Sequence, residues 1–450
     1  MKYRRFTSAA LVAALALSLA ACGEPAGAPP NTPGSTAPSD DSGQIPLDAD
    51  QNLVVWGWSG APGAEAMQRS IDAFEAKHPN IHVTYNEITN TDYANKATLG
   101  LSSNQEIDVM GVFPNEWAKD NQDYLLPVSD WKTSTDLTTA LNATSIKQTT
   151  SVFSDGTLRA VPAYSSGDPV FFYNIDMATK AGLPDGPKTW GDVKKLTDSL
   201  AQTAPEVTTA IIPKDGWFQS SVGLAFIQQF DPQFWNKFVY DKAAWDTDAT
   251  KKGLALYRSV FADGALDKST LDVGYSDAKT AFGAGKAAMV MSGTWDAGML
   301  LDSYRKANGF TIGEVGAVPI PSESGTAGGI RSYVDLALGI PKASTKQAAA
   351  AAFVESFVNG DGINGWASSL LGVPAKADWT MPDGMLTSEP AEAGWATIQK
   401  LVANPQSDRY VLSNFENQQG SYFLEVARGS MTPEDAAAAG QQDVDSGKYN

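Results

Sequence analysis

Residues Ala160–Asp176 read AVPAYSSGDPVFFYNID, and this pattern indicates a passage between two lobes. It opens as a short strand that ends at Pro162, and it resumes as an apolar strand over Val170–Tyr173. A proline and a Gly-Asp-Pro turn between two strand segments are typical of a chain that leaves one lobe and enters another. We therefore predict an α/β lobe before this segment and a second lobe after it. Tyr164 should then lie near the floor of the cleft between them.

Length and charge limit the architecture and the partners. The chain has 450 residues, which is too long for one hydrophobic core and predicts two or three domains. It carries 33 basic and 51 acidic residues. Proteins that bind the phosphate backbone need a basic surface, so we expect no nucleic-acid partner.

The N-terminus has the pattern of an export signal. Three basic residues within the first five precede the apolar run Leu11–Leu19, which is too short for a stop-transfer helix. The following Leu-Ala-Ala-Cys-Gly, with Cys22 as the only cysteine of the chain, resembles the lipobox of bacterial lipoproteins. We predict a signal peptide over residues 1–21 and a lipidated Cys22 at the mature N-terminus. The alternative is an ordinary secretory peptide with an incidental cysteine.

Residues 22–49 are predicted to form a flexible tether. Within them, Gly23–Pro46 contains six prolines, four glycines and no aromatic residue. Such a composition cannot bury a core. With one cysteine in the chain, no internal disulfide is expected.

The segment after the tether alternates strand and helix patterns. Leu53–Trp56 and Ile107–Val112 are apolar runs typical of strands that are buried on both faces. Between them lie an amphipathic helix that ends before Pro79, an alternating strand at Ile81–Tyr85 and a second helix at Asp92–Leu101. This order predicts a doubly wound α/β lobe with helices on both faces of its sheet.

The sequence gives little support for a metal site, a phosphate-binding loop or a histidine-based catalytic triad. His78 and His82 are the only histidines, and Pro79 prevents one helix from presenting both to a metal. Gly283–Lys286 lacks the earlier glycine of a phosphate loop, and Ala287 stands where that loop has Ser or Thr. We therefore expect no metal and no cofactor. A carboxylate pair for glycoside hydrolysis stays open, because acidic residues are plentiful and no two are singled out.

Aromatic residues at strand ends and in loops point to a different kind of site. Trp58, Trp217 and Trp295 are examples, with Tyr164 in the crossing segment. Aromatic faces suit the CH faces of pyranose rings, whereas sugar hydroxyls need amides, carboxylates and guanidinium groups. Ligands of such sheets bind outside the carboxyl ends of the strands. The pattern therefore favours a carbohydrate site.

Taken in order, these segments resemble the extracellular solute-binding proteins (family 1) of ABC importers, in particular the large group that captures sugars. The resemblance covers the chain from about Asn52 to its end. It rests on these segments: Leu53–Trp56, Phe74–Val83, Val161–Pro162, Phe171–Asp176, Ala181–Pro184, Pro187–Trp190, Phe282–Met289, Gly293–Trp295, Gly328–Gly329 and Thr432–Asp435.

The resemblance implies a two-lobed, periplasmic-binding-protein-like (type II) α/β fold with a cleft between the lobes. Each lobe would hold a mostly parallel sheet flanked by helices. Lobe 1 would comprise residues 50–160 and 316–358, and lobe 2 residues 161–315 and 359–450. Such proteins carry out no catalysis. They bind solute by hinge closure and present it to a membrane permease. We accordingly expect a monomer that is lipid-anchored on the extracytoplasmic side of the cell membrane.

The resemblance also implies the ligand-binding residues. The cleft aromatics of the family fall on Trp58, Trp217 and Trp295. Tyr164 departs from the small or aliphatic residue expected at its position, and is either an added sugar platform or a packed interface residue. The polar contacts implied by position are Asn115, Asp296, Arg331 and Glu416. The rival hypotheses are a surface glycoside-active enzyme and a binding protein for a non-sugar solute.

Overall fold

Strands and helices alternate along the chain. A computed structural model describes residues 43–60, 62–325, 329–370, 372–407 and 415–447. The strands, labelled β1 to β10 in chain order, are Gln51–Trp58, Ile81–Ile88, Val109–Val112, Val161–Asp168, Val170–Asn174, Thr208–Ile211, Ala287–Ser292, Val315–Pro319, Arg331–Gly339 and Val373–Pro374. The helices, labelled α1 to α17 in chain order, are Ala64–Glu75, Asn90–Ser102, Glu116–Asp120, Leu137–Ala140, Ala143–Ser151, Ile175–Lys180, Trp190–Thr203, Gly216–Ile227, Phe234–Asp241, Asp248–Ala262, Tyr275–Gly283, Asp302–Ala307, Gln347–Asn359, Gly362–Ala367, Glu389–Ala403, Phe415–Arg428 and Pro433–Asp445. Within these described ranges, no helix has the length and apolar character needed to cross a membrane.

The described strands form two sheets, and each belongs to one lobe of an α/β fold. The first sheet has the strand order β10-β4-β9-β3-β1-β2. Its β1 lies between β2 and β3 and is parallel to both, as the strand–helix alternation predicted. The second sheet has the strand order β6-β7-β5-β8.

Both sheets are mixed, which corrects the prediction that each would be mostly parallel. In the first sheet, β9 is antiparallel to β3 and β4, and β10 is antiparallel to β4. In the second sheet, β5 is antiparallel to β7 and β8, and β6 is parallel to β7. The physical reason is the route of the chain: β4 leads out of the first sheet and its neighbour β9 leads back in, so the two strands run in opposite directions.

The crossing lies later in the Ala160–Asp176 segment than predicted. β4 continues through Pro162 to Asp168, and β5 begins at Val170 in the other sheet. The β4–β9 register shifts after Pro162, so the strand accommodates the proline at a bulge. Pro169, rather than Pro162, therefore separates the two sheets along this segment.

Sheet membership also differs from the lobe boundaries that we predicted at residues 161, 316 and 359. β4 and β10 lie in the first sheet, whereas β8 lies in the second. α14 packs on α1 in the first lobe, where Ser70 Oγ donates to Gly362 O at 2.8 Å. Residues 44–49 of the predicted tether are bound to the first lobe, since Ile45 N–H donates to Thr345 O at 2.8 Å. Turns within a lobe and crossings between lobes have similar compositions, so the sequence did not distinguish them.

Helices cover the sheets and bury their apolar faces. In the first lobe, Phe74 of α1 meets Phe353 of α13 edge to face, with ring centroids 5.3 Å apart. Both rings are about 1% exposed. Burying a side chain of this size stabilises the folded state by roughly 2–3 kcal/mol. These packed layers fix the positions of the strand ends around the site.

A buried ammonium group joins α13 to the first sheet. Lys346 Nζ donates to Asp108 Oδ2 at 3.0 Å, to Glu106 Oε1 at 2.6 Å and to Asn52 O at 2.6 Å. Burial lowers the pKa of Lys346, but hydrogen bonds and charge interactions with the two carboxylates outweigh this effect and raise it above 10.5. The side chain therefore remains charged in the folded protein at neutral pH.

Candidate ligand-binding site

A cavity of about 490 Å³ lies where strand ends of the two sheets meet. Its lining residues are Trp58, Asn90, Tyr93, Ala94, Phe113, Asn115, Trp117, Trp217, Trp295, Tyr333 and Asp335. Trp58 is the last residue of β1 and Phe113 follows β3, so the carboxyl ends of parallel strands border the cavity, as expected of α/β sheets. Trp217 in the first turn of α8 and Trp295 just after β7 come from the second lobe.

The first wall of the cavity is a set of aromatic rings on the first lobe. Trp58 and Tyr93 pack edge to face with centroids 5.0 Å apart, and Tyr93 OH donates to Gly111 O at 2.6 Å. Burial raises the pKa of Tyr93, so its hydroxyl stays protonated as a donor. Trp117 Nε1 donates to Thr98 Oγ1 at 3.0 Å. The rings are thus held by fixed partners, and their exposed parts face the cavity.

The second wall is a pair of half-buried tryptophans on the second lobe. The rings of Trp217 and Trp295 lie 5.9 Å apart at an interplanar angle of 48°. Trp295 Nε1 donates to Tyr275 Oη at 2.8 Å. Gly293 leaves room for the indole, because a Cβ atom there would lie 2.2 Å from Trp295 Cζ3.

Asp296 supports this wall from behind, which differs from its predicted role as a ligand contact. It is 3% exposed and does not line the cavity. Its carboxylate accepts hydrogen bonds from Tyr275 and Ser292 and pairs with Lys279 Nζ at 2.5 Å. Burial first, and the charge of Asp296 second, raise the pKa of Tyr275. Tyr275 therefore donates to Asp296 while accepting from the indole of Trp295.

Two polar side chains complement the rings. Asn115 caps α3, where its Oδ1 accepts the Trp117 N–H at 3.0 Å. Asp335 is half-buried on β9 and accepts a hydrogen bond from Ser166 Oγ at 2.9 Å. Tyr333 lies two residues before Asp335, and alternate residues of a strand share a face, so the ring and the carboxylate border the same cavity. Carboxylate and amide groups of this kind bind hydroxyls.

The structure places three other predicted residues away from the cavity. Tyr164 is 1% exposed and packs on Trp366 with ring centroids 5.2 Å apart, so it is a core residue of the first lobe rather than the cleft floor. Arg331 is buried and pairs with Glu416, Nη1 to Oε1 at 2.6 Å, and with Asp168, Nε to Oδ1 at 3.3 Å. These partners are far apart in sequence, so the pairing of Arg331 with Glu416 and Asp168 could not be predicted from the sequence.

Of the predicted residues, the structure brings Trp58, Asn115, Trp217 and Trp295 together around the cavity. Cys22 lies outside the described residues. The sequence reasoning left out several lining residues, of which Phe113 and Trp117 had a usable signal: both flank Asn115 directly after the third strand. Among the described residues, no group of three or more His, Cys, Asp and Glu side chains is placed to hold a metal ion.

Solved structures with the same fold are known. The chain is similar to the GacH receptor of Streptomyces glaucescens, with a TM-score of 0.67, 19% identity and coverage of 88% of this chain and 98% of that one. It is also similar to the sugar-binding protein MalE of Xanthomonas citri, with a TM-score of 0.65 and 18% identity. That comparison covers 88% of this chain and 96% of the MalE chain. For maltose-bound MalE3 of T. maritima the TM-score is 0.68 and the identity is 15%. That comparison covers 88% of this chain and 99% of the MalE3 chain. These likenesses establish the two-lobed α/β fold.

Sequence comparison identifies the family. The chain is 25% identical over 283 residues to an uncharacterized ABC transporter extracellular-binding protein of Pyrococcus horikoshii, and the alignment spans 60% of each chain. The family model described as "Bacterial extracellular solute-binding protein" matches residues 58–359, about two thirds of the sequence. The matched region runs from Trp58 at the cavity to the end of α13. The chain therefore belongs to the bacterial extracellular solute-binding protein family.

Proposed function

We propose that this protein is an extracytoplasmic receptor that captures a mono- or oligosaccharide between its lobes and delivers it to an ABC permease. It carries out no catalysis in this proposal. The observation that carries the proposal is the pairing of aromatic walls from both lobes around one cavity, with Trp58 on one side and Trp217 and Trp295 on the other. A pyranose ring between them would bury its CH faces on both lobes at once.

Ligand contact with both lobes supports capture by hinge closure. A solute that contacts both walls binds more tightly when the lobes are close than when they are apart. It therefore shifts the equilibrium from the open to the closed form by that difference in binding free energy. We place the hinge at the crossings, of which Pro169 between β4 and β5 is one. The closed form would be the one that the permease recognises.

In this proposal, the cellular location of the protein follows from its N-terminal sequence. A signal peptide over residues 1–21 would export the chain, and lipidation of Cys22 would anchor it to the outer face of the cell membrane. The residues between Cys22 and the folded domain would serve as the tether. We expect the anchored protein to act as a monomer.

The composition of the cavity argues against the rival hypotheses. Glycoside hydrolysis requires two convergent carboxyl groups, and Asp335 is the one carboxyl residue that lines the cavity within the described part of the chain. A receptor for a non-sugar solute would not need several ring faces. Trp58, Trp217 and Trp295 all line the cavity.

A panel of sugars tests the proposal. We expect the mature protein to show a raised Tm with at least one mono- or oligosaccharide, since a ligand that binds only the folded state stabilises it. Trp295→Ala should then weaken binding of that sugar tenfold or more, as measured by calorimetry. Trp379→Ala is the matched control, because this half-buried tryptophan does not line the cavity.

Three results would count against the proposal. No sugar in a broad panel raising Tm would remove the carbohydrate class. Equal sugar affinity in Trp295→Ala and Trp379→Ala would move the site away from this cavity. Release of reducing sugar from a bound oligosaccharide would instead favour the glycoside-active enzyme.

A further inference from the structure

We infer that Thr294 is a positioning residue for the bound sugar, because its hydroxyl ties the second wall to the crossing strand β4. This inference rests on the proposed function and deepens it, since it names a group that sets sugar affinity from outside the cavity lining. It is carried by a buried hydrogen bond between elements of the two lobes: Gly167 N–H donates to Thr294 Oγ1 at 2.9 Å.

The two partners of this hydrogen bond belong to different sheets. Gly167 lies in β4 and pairs with Ser332 of β9 in the first sheet. Thr294 follows β7 of the second sheet and directly precedes Trp295. Thr294 is fully buried, and a buried backbone N–H group that loses its acceptor is costly. The hydroxyl oxygen therefore has a strong reason to remain at this position.

The end of β4 that supplies the amide is itself fixed. A Cβ atom at Gly167 would lie 2.4 Å from Ile330 Cδ1 and 2.6 Å from Arg331 O, so this backbone packs directly on the other crossing segment. The next residue, Asp168, accepts hydrogen bonds from Arg331 Nε at 3.3 Å and from Arg331 Nη2 at 3.4 Å. The Gly167 amide is therefore a fixed point at the crossing to which the second wall is attached.

Trp295 is thereby held through its ring and through its backbone. The indole N–H donates to Tyr275 Oη at 2.8 Å, which fixes the ring. The hydroxyl of the preceding residue, Thr294, fixes the backbone to β4. A binding group keeps its productive geometry only when the residues around it hold it in place. Loss of the Thr294 hydroxyl should therefore weaken sugar binding even though the ring and its Tyr275 partner remain.

Two substitutions at Thr294 test the inference with the sugar found in the panel. Thr294→Val keeps the shape of the side chain and removes the acceptor, so we expect its Kd, measured by calorimetry, to rise roughly fivefold or more. Thr294→Ser keeps the hydroxyl and should stay within about twofold of the native Kd. Thr209→Val is the matched control: this buried threonine of β6 also loses a hydroxyl hydrogen bond, to Thr197 Oγ1 at 2.9 Å, but it does not line the cavity.

Hydrogen exchange at the Gly167 amide, followed by NMR, tests the same link in the native protein. A sugar that contacts Trp295 stabilises the segment that carries the acceptor of this amide, so saturating sugar should slow its exchange roughly threefold or more. The slowing should persist in Thr209→Val and disappear in Thr294→Val. A role of Thr294 in folding stability alone would not make this amide respond to sugar. The measurement on the native protein decides the matter even if Thr294→Val does not fold.

The outcomes separate this inference from the proposed function. Native sugar affinity in Thr294→Val, or an equal loss of affinity in Thr209→Val or in Thr294→Ser, would overturn the inference and leave the carbohydrate receptor standing. The same holds if exchange at Gly167 in the native protein does not respond to bound sugar. Absence of binding by the native protein across the whole sugar panel would instead remove the carbohydrate receptor, and the inference with it.

Discussion

Substituting Gly293 by alanine perturbs the second wall through a single methyl group. The backbone at Gly293 has φ −112°, which alanine adopts without strain, so the effect is steric. The added Cβ would lie 2.2 Å from Trp295 Cζ3 and 2.3 Å from its Cη2. Carbon atoms in ordinary contact are about 3.5–4.0 Å apart, so the ring edge must move by more than about 1 Å.

That movement has two measurable consequences. It misaligns the 2.8 Å hydrogen bond from Trp295 Nε1 to Tyr275 Oη, and loss of a buried partner costs about 1–3 kcal/mol of folding free energy. It also tilts the ring away from its present angle to Trp217. We expect the Kd for the bound sugar to rise at least tenfold, equivalent to about 1.4 kcal/mol.

Calorimetry with the sugar found in the panel, together with tryptophan emission spectra, measures both effects. Gly191→Ala is the matched control, because its Cβ would meet only Thr189 Oγ1, at 3.5 Å, in the first turn of α7. Helix propensity makes that change neutral or slightly stabilising. Unchanged affinity and emission in Gly293→Ala would refute the placement of Trp295 as a ligand platform.

Three further changes test the supports of the site and the fold. Tyr275→Phe keeps the ring but removes the acceptor of the Trp295 indole, so we expect severalfold weaker sugar binding and altered tryptophan emission; a variant that matches the native protein in both would contradict the support role. Arg331→Met removes the guanidinium that pairs with two buried carboxylates and should lower the free energy of unfolding by about 3–5 kcal/mol in urea titrations; a loss below 1 kcal/mol would show that the ion pairs contribute little. The pKa of Lys346 is raised on folding, so its contribution to stability is complete below the unfolded value of about 10.5 and is lost as pH rises through the folded value. Urea titrations between pH 8 and 11.5 should therefore show a shallower alkaline decline in Lys346→Met than in the native protein, and parallel declines would contradict this account.

Part of the site could be predicted because it depends on local sequence. Trp58 ends the first strand and Trp295 follows another, and strand ends of α/β sheets meet at ligand sites whatever the rest of the chain does. The capping box at Thr189 and Asp192 is equally local, since it joins residues three apart. These features follow from patterns a few residues long.

Residues whose roles depend on distant partners could not be predicted. Glu416 and Arg331 resemble exposed ligand contacts in sequence. In the structure their side chains form a buried ion pair, although they are 85 positions apart in the chain. Asp335 carried no visible signal, because its place at the cavity is set by the pairing of β9 with β3 and β4. The predicted parallel sheets failed for the same reason: strand direction depends on which strands become neighbours.

The segment Ala160–Asp176 shows most clearly which features the sequence determined and which the tertiary structure decided. Its short apolar runs and its two prolines by themselves determined that two strands and a break occur there. Which proline forms the break was decided only by tertiary structure. Pairing with β9 keeps Pro162 inside a bulged β4, whereas Pro169 lies where the chain leaves one sheet for the other. The same packing buries Tyr164 against Trp366, because a core must be filled by whichever side chains its sheet and helices bring together.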